Sequence, residues 1–114
     1  MEVDTANRAW LLGRLKHSLR ILAAPAEIQL RGVSAFGRKA DELYLSFEHW
    51  RARVMVSFPS EIAIDQRSLL DSMEKHFTGM GRECWTDSGV TNSAEWEQVR
   101  RLFSKTLRAF GWPV

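Results

Sequence analysis

The chain reads as an α+β domain: a three-stranded antiparallel meander, with a short fourth strand as a variant, packed on one face by N-terminal, middle and C-terminal helices. Two observations predict this. Between residues 28 and 58 apolar side chains alternate with polar ones, the period of a half-buried strand. The flanking segments instead carry apolar stripes of helical period, bounded by caps and stops.

The first helix is expected from about Asp4 to Ala23, with Leu11, Leu12, Leu15, Leu19 and Leu22 along one stripe. Asp4 or Thr5 supplies its cap, and Pro25 ends it because the residue before a proline avoids the α region. Gly13 inside it costs about 1 kcal/mol relative to Ala or marks a close backbone contact. Ile28 and Leu30 then alternate with Glu27, Gln29 and Arg31 as a first strand, and residues 37–41 read as a turn. Leu43, Leu45 and Phe47 occupy odd positions, whereas Val54, Val56 and Phe58 occupy even ones. A strand cannot exchange its faces without a turn or bulge, which predicts a tight reversal near His49–Ala52. Ile62 and Ile64 extend this region or lie in a loop.

A second helix is expected from an Asp65 cap to about Thr78, with Leu69, Met73 and Phe77 stacked on one stripe, Leu70 beside them, and Gly79 as the glycine beyond its end. An extended piece at 82–86 and a turn at 87–89 follow. The last helix opens on Asn92, with Glu95 three residues later and Ser93 as the alternative cap. Trp96, Val99, Phe103, Leu107 and Phe110 form its apolar face, with Leu102 beside them. Gly111 stands where a left-handed terminator belongs, Trp112 where it packs back on Leu107, and Pro113 stops the helix.

At 114 residues, 45% apolar and 26% charged, residues 1–114 suit a single domain with a core of its own. Five tryptophans promise tight packing, an aromatic contact surface, or both. The net charge of +2 is too small to announce a polyanion partner. One cysteine permits no intrachain disulfide, no apolar run reaches membrane-spanning length, and Glu2 and Asp4 stand where a secretory signal would carry Lys or Arg. The expectation is a cytoplasmic protein without membrane contact.

The residues of catalysis are present without their patterns. Cys84 has His76 and Asp87 nearby in sequence but no recognisable nucleophile context. His17, His49 and His76 have no metal-ligand spacing, and Gly79-Met80-Gly81 follows a helix instead of opening one. Asp41-Glu42 and Asp71 with Glu74 read as surface pairs. No catalytic residue, metal or cofactor is therefore assigned, and the chain is read as a non-enzyme.

The basic residues fall into two sets. Arg100, Arg101, Lys105 and Arg108 follow Glu95 and Glu97 along the last helix, the order its dipole favours, and form a solvated face. Arg31, Arg38, Lys39, Arg51 and Arg53 lie in or beside the meander, and His49-Trp50-Arg51-Ala52-Arg53 sets an aromatic among cations at the expected turn. Arg and Trp are the residues enriched in binding hot spots. Tyr44, Trp50, Arg51 and Arg53 are therefore the expected partner-binding residues, on the uncovered sheet face or its rim; the plainer alternative completes the core with Trp50 and lays the arginines over it.

The function this implies is a non-catalytic protein-binding module of immunity, chaperone or adaptor type, contacting a protein partner or a second copy through the open sheet face. Nucleic-acid binding by the sheet arginines and Trp50 is the alternative. A small-ligand binder or enzyme with a pocket between sheet and helices is the third. The helix–meander–helix–strand–helix order resembles that of small bacterial secretion chaperones, which are acidic where this chain is not. Small immunity proteins that neutralise a toxin are a second compatible class.

Overall fold

In a computed structural model the chain folds as six α-helices, described for residues 2–32 and 38–112 with side chains from residue 7 onward. They are α1 (Glu2–Ala23), α2 (Ala26–Arg31), α3 (Lys39–Ser57), α4 (Ile64–Thr78), α5 (Asp87–Asn92) and α6 (Ala94–Ala109). Turns of 3₁₀ helix occupy Pro59–Glu61 and Arg82–Cys84. There is no strand and no sheet among the described residues, so the expected α+β meander is replaced by an all-helical, bundle-like fold. The resemblance in element order to secretion chaperones lapses with it.

The error lies in the period read between 26 and 58. Ala40, Leu43, Phe47 and Val54 are buried, and Trp50 is half-buried between them. Those five positions step by three and four residues in turn, a helical stripe. Sampled every second residue, such a stripe changes parity, which is the switch that suggested a reversal near His49–Ala52. The middle members of the two apparent strands decide the matter: Leu45 is 58% exposed and Val56 84% exposed. A strand would have buried both with their neighbours. Ile28 is likewise exposed, while the polar Gln29 beside it is fully buried in α2. The turn expected at 37–41 lies partly outside the described residues, and from Lys39 it is the first turn of α3.

α1 packs along α3 and α6, α4 lies against α6 and α3, and the short α2 and α5 meet at one end. Leu11, Leu15, Leu19 and Leu22 are buried along α1, with Leu12 at the margin. α6 buries Trp96, Val99, Phe103 and Leu107, and α4 buries Leu70, Met73 and Phe77. The α1 and α6 faces are those the periodicity indicates, whereas in α4 Leu70, in place of Leu69, joins Met73 and Phe77 in the core. Gln29 Nε2 donates to the Leu22 carbonyl at 3.0 Å, and Gln29 Oε1 accepts from Arg100 at 3.0 Å. Arg100 also donates to the Val90 carbonyl at 2.9 Å, so this expected surface residue ties α2, α5 and α6 together. Burial lowers its pKa, partly offset by the charge of Glu97.

Several helix ends differ from expectation. α1 begins at Glu2, upstream of Asp4 and Thr5, whose side chains lie outside the described residues. Ala63 caps α4, its N–H donating to Gln66 Oε1 at 2.8 Å, and Asp65 sits in the first turn. Gly79 ends α4 at φ −86°, without the left-handed geometry. Ser93, not Asn92, caps α6 by accepting from the Trp96 N–H at 3.1 Å. The pieces expected to be extended at 82–86 and turn-like at 87–89 are a 3₁₀ turn and the start of α5. The α6 terminus agrees: Gly111 has φ +73°, its N–H reaches the Arg108 carbonyl at 3.0 Å, and the Trp112 N–H reaches the Leu107 carbonyl at 2.9 Å. Pro113 lies outside the described residues. No helix among the described residues is long and apolar enough to cross a membrane.

Candidate functional site

All four expected partner-binding residues lie on α3, but the helix distributes them to three surroundings. At about 100° per residue, Tyr44 and Arg51 lie two turns apart on nearly the same side of α3 while Trp50 is turned about 100–120° away from both, and the sheet face that was to unite them does not exist.

Trp50 turns toward α1. Trp10 and Arg14 are four residues apart on α1, and Trp50 and Arg53 three apart on α3, so each pair shares a helix face. Where the helices pack, the pairs converge. The Trp10 and Trp50 rings meet edge to face at 5.4 Å between centroids. The Arg14 guanidinium stands 4.9 Å from the Trp50 ring centre, that of Arg53 5.9 Å, and the His49 ring 4.5 Å. Trp10 is 52% exposed, Arg14 and Arg53 are exposed, and neither arginine pairs with a carboxylate among the described residues. A half-buried Trp50 thus carries an exposed tryptophan and two cations whose N–H groups remain available to a partner.

Arg51 turns toward α4. It pairs with Glu48 one turn before it at 3.3 Å and with Asp71 and Glu74 across the helix interface. Burial opposes its charge, but the hydrogen bond and charge of Glu74, with Asp71 and Glu48, outweigh that and raise its pKa. Burial and the neighbouring Glu74 raise the Glu48 pKa, and Arg51 only partly compensates. This is a clamp between α3 and α4, with both terminal nitrogens of Arg51 held by carboxylates.

Tyr44 lines a groove of about 410 Å³ with Arg38, Asp41, Leu45, Phe77, Thr78, Arg82 and Trp85. Its ring lies 5.0 Å from Phe77 and 5.8 Å from Trp85, centroid to centroid. Burial, then the charges of Glu48 and Glu74, raise the tyrosine pKa, leaving a protonated hydroxyl. Trp85 is placed by the corner between the 82–84 turn and α5. Thr86 Oγ1 accepts from the Gly89 N–H at 2.9 Å, and the Trp96 indole donates to the Cys84 carbonyl at 2.7 Å. A Cβ on Gly89 would stand 2.4 Å from that carbonyl, so only glycine lets the corner close this tightly.

The Cys84 thiol is fully buried and donates to Glu95 Oε2 at 3.1 Å. Burial, followed by that hydrogen bond and the charge of Glu95, pushes its pKa up, which suits a structural thiol. His76 Nε2 contacts the Glu95 carbonyl at 3.0 Å. No group of three or more His, Cys, Asp or Glu side chains among the described residues is arranged to hold a metal ion. On α6, Arg101 pairs with Glu97 at 2.9 Å, as the expected solvated face requires.

Sequence reasoning passed over Trp10, Arg14, Arg82 and Trp85. Trp10 had a local signal, since it stands off the α1 leucine stripe and must face outward. Trp85 had none, because its neighbours come from other elements. No family model matches the chain, and neither a curated protein nor a solved structure matches it significantly.

Proposed function

We propose that this chain is a non-catalytic protein-binding module that engages an acidic protein surface through Trp10 and Trp50 with Arg14 and Arg53. The observation that carries it is the exposed Trp10 edge beside two arginines that have aromatic contacts but no carboxylate partner among the described residues. Tryptophan and arginine supply large contact area and forked hydrogen bonding, the combination found at interface hot spots. An acidic partner satisfies both guanidiniums. A second copy of the same face would bring like charges together, which disfavours a homodimer here. The buried, protonated Cys84 supports the non-catalytic part of the reading, and a lone unpaired cysteine supports a cytoplasmic placement.

The test is affinity capture from lysate, with and without nuclease treatment, on wild type, Trp10→Ala, Arg14→Glu/Arg53→Glu and, as a control on α6, Arg108→Glu. The expected result is a protein retained by wild type and the control and lost with the other two, all four melting alike. Identical retention by all four, or bound material that nuclease removes, overturns the proposal; the latter result indicates nucleic acid.

A further inference from the structure

The aromatic groove on the other side of α3 is a separate site. Phe77, 1% exposed, is its floor; Tyr44 and Trp85 stand over it, and Leu45 forms an exposed apolar wall. The Phe77 and Trp85 rings are 6.0 Å apart and inclined by 37°. Arg38 and Arg82 line both this groove and an adjoining cleft of about 390 Å³ that also touches Trp85, Thr86 and Asp87. Neither arginine pairs with a carboxylate among the described residues. The two acids nearby, Asp41 and Asp87, sit in the first turns of α3 and α5, where the helix dipole favours their charge. Asp41 lines the main groove and Asp87 the adjoining cleft, each beside the same two arginines, so both regions keep more cations than acids and attract an anion to the arginines.

An apolar aromatic pocket with convergent cations at one end selects a flat hydrophobic body with a single anionic group. We infer that this groove binds a small aryl carboxylate, its ring against Tyr44, Phe77 and Trp85 and its carboxylate on Arg82 and Arg38. The volume suits a bicyclic aromatic acid, being within the range of about 300–1,000 Å³ usual for small-molecule sites. The protonated Tyr44 hydroxyl adds a donor and no repelling charge.

Naphthoate and its neutral isostere naphthamide are the probes, titrated into the full chain and followed by calorimetry and by the five tryptophan indole N–H resonances. Naphthoate is expected to shift the resonance missing from Trp85→Phe, and to bind about tenfold more tightly than the amide. Arg82→Gln should weaken naphthoate about tenfold and leave the amide unchanged, while Arg108→Gln changes neither. Equal affinity for acid and amide, an unchanged affinity in Arg82→Gln, shifts confined to Trp10 and Trp50, or no binding at about 1 mM would each overturn the inference. Melting curves for every variant separate loss of the site from loss of the fold.

Discussion

Gly13 and Gly111 show how one residue type serves opposite purposes. Gly13 sits in the middle of α1, exposed, with nothing within 4 Å of where a Cβ would stand. It therefore makes no close backbone contact, and only its helix cost remains. Gly111 holds φ +73° and carries the hydrogen bonds that end α6. Gly13→Ala should raise stability by about 0.5–1 kcal/mol, and Gly111→Ala should lower it by about 1 kcal/mol. Urea unfolding of both variants measures this, and shifts of the same sign would contradict the assignment. Gly111 is legible in the sequence because Gly-Trp-Pro follows a strong apolar stripe. Gly79 also follows a stripe, yet it is right-handed, with the Met80 N–H turning back to the Phe77 carbonyl at 3.1 Å and Met80 buried. A glycine marks where a helix ends; what the next residue packs against sets its dihedral angles.

At the scale of the element, α3 is held to α4 by one arginine among three carboxylates. Arg51→Met removes the cation and leaves Glu48, Asp71 and Glu74 facing one another, at a cost on the order of 1–3 kcal/mol near neutral pH. That loss shrinks in acid, as Glu48, whose pKa is raised, takes up a proton. Glu48→Gln behaves differently. The Glu48 pKa is raised in the folded protein, so its protonated form favours folding below the ordinary carboxylate range, and that contribution is lost as pH rises through the raised value. Glutamine imitates the protonated form. Glu48→Gln should thus melt higher than wild type at about pH 7, with the gain gone by about pH 4. Calorimetric melts across that range check both the sign and its disappearance. In the sequence Asp71 and Glu74 are visible as a helical pair and Arg51 as a cation beside Trp50. Their meeting is not visible, because the residues are 20 and 23 positions apart with nothing local to mark the contact.

At the scale of the molecule, the centre is a linked set of rings. Phe77 lies 5.6 Å from Trp96 and 5.9 Å from Phe103, and Phe103 lies 5.1 Å from Phe47, joining α3, α4 and α6. Phe103→Ala should cost about 3–5 kcal/mol, since three helices line the cavity it leaves. Leu45→Ser should change stability by less than about 0.5 kcal/mol, because Leu45 belongs to the exposed face of α3 and to no core strand. Denaturant midpoints of the two variants report on the helical register of the whole 39–57 segment. The same packing sends Trp50 and Tyr44 to opposite surroundings and so separates the two candidate surfaces.

Read alone, the sequence determines the buried stripes of α1, α4 and α6, the proline that ends α1, and the glycine that ends α6. The α1 and α6 stripes run for about three turns, so their helical period is unambiguous; the α4 stripe is shorter and fixes Met73 and Phe77 but not the choice between Leu69 and Leu70. Residues 26–58 are decided by tertiary structure. Over five or six residues an apolar pattern fits a period of two as well as one of 3.6, and only burial against α1 and α4 shows that Leu43, Phe47 and Val54 face inward while Leu45 and Val56 face water. The binding surfaces are decided there too, because Trp10 meets Trp50, and Trp85 meets Tyr44, only once elements distant in the chain are packed together.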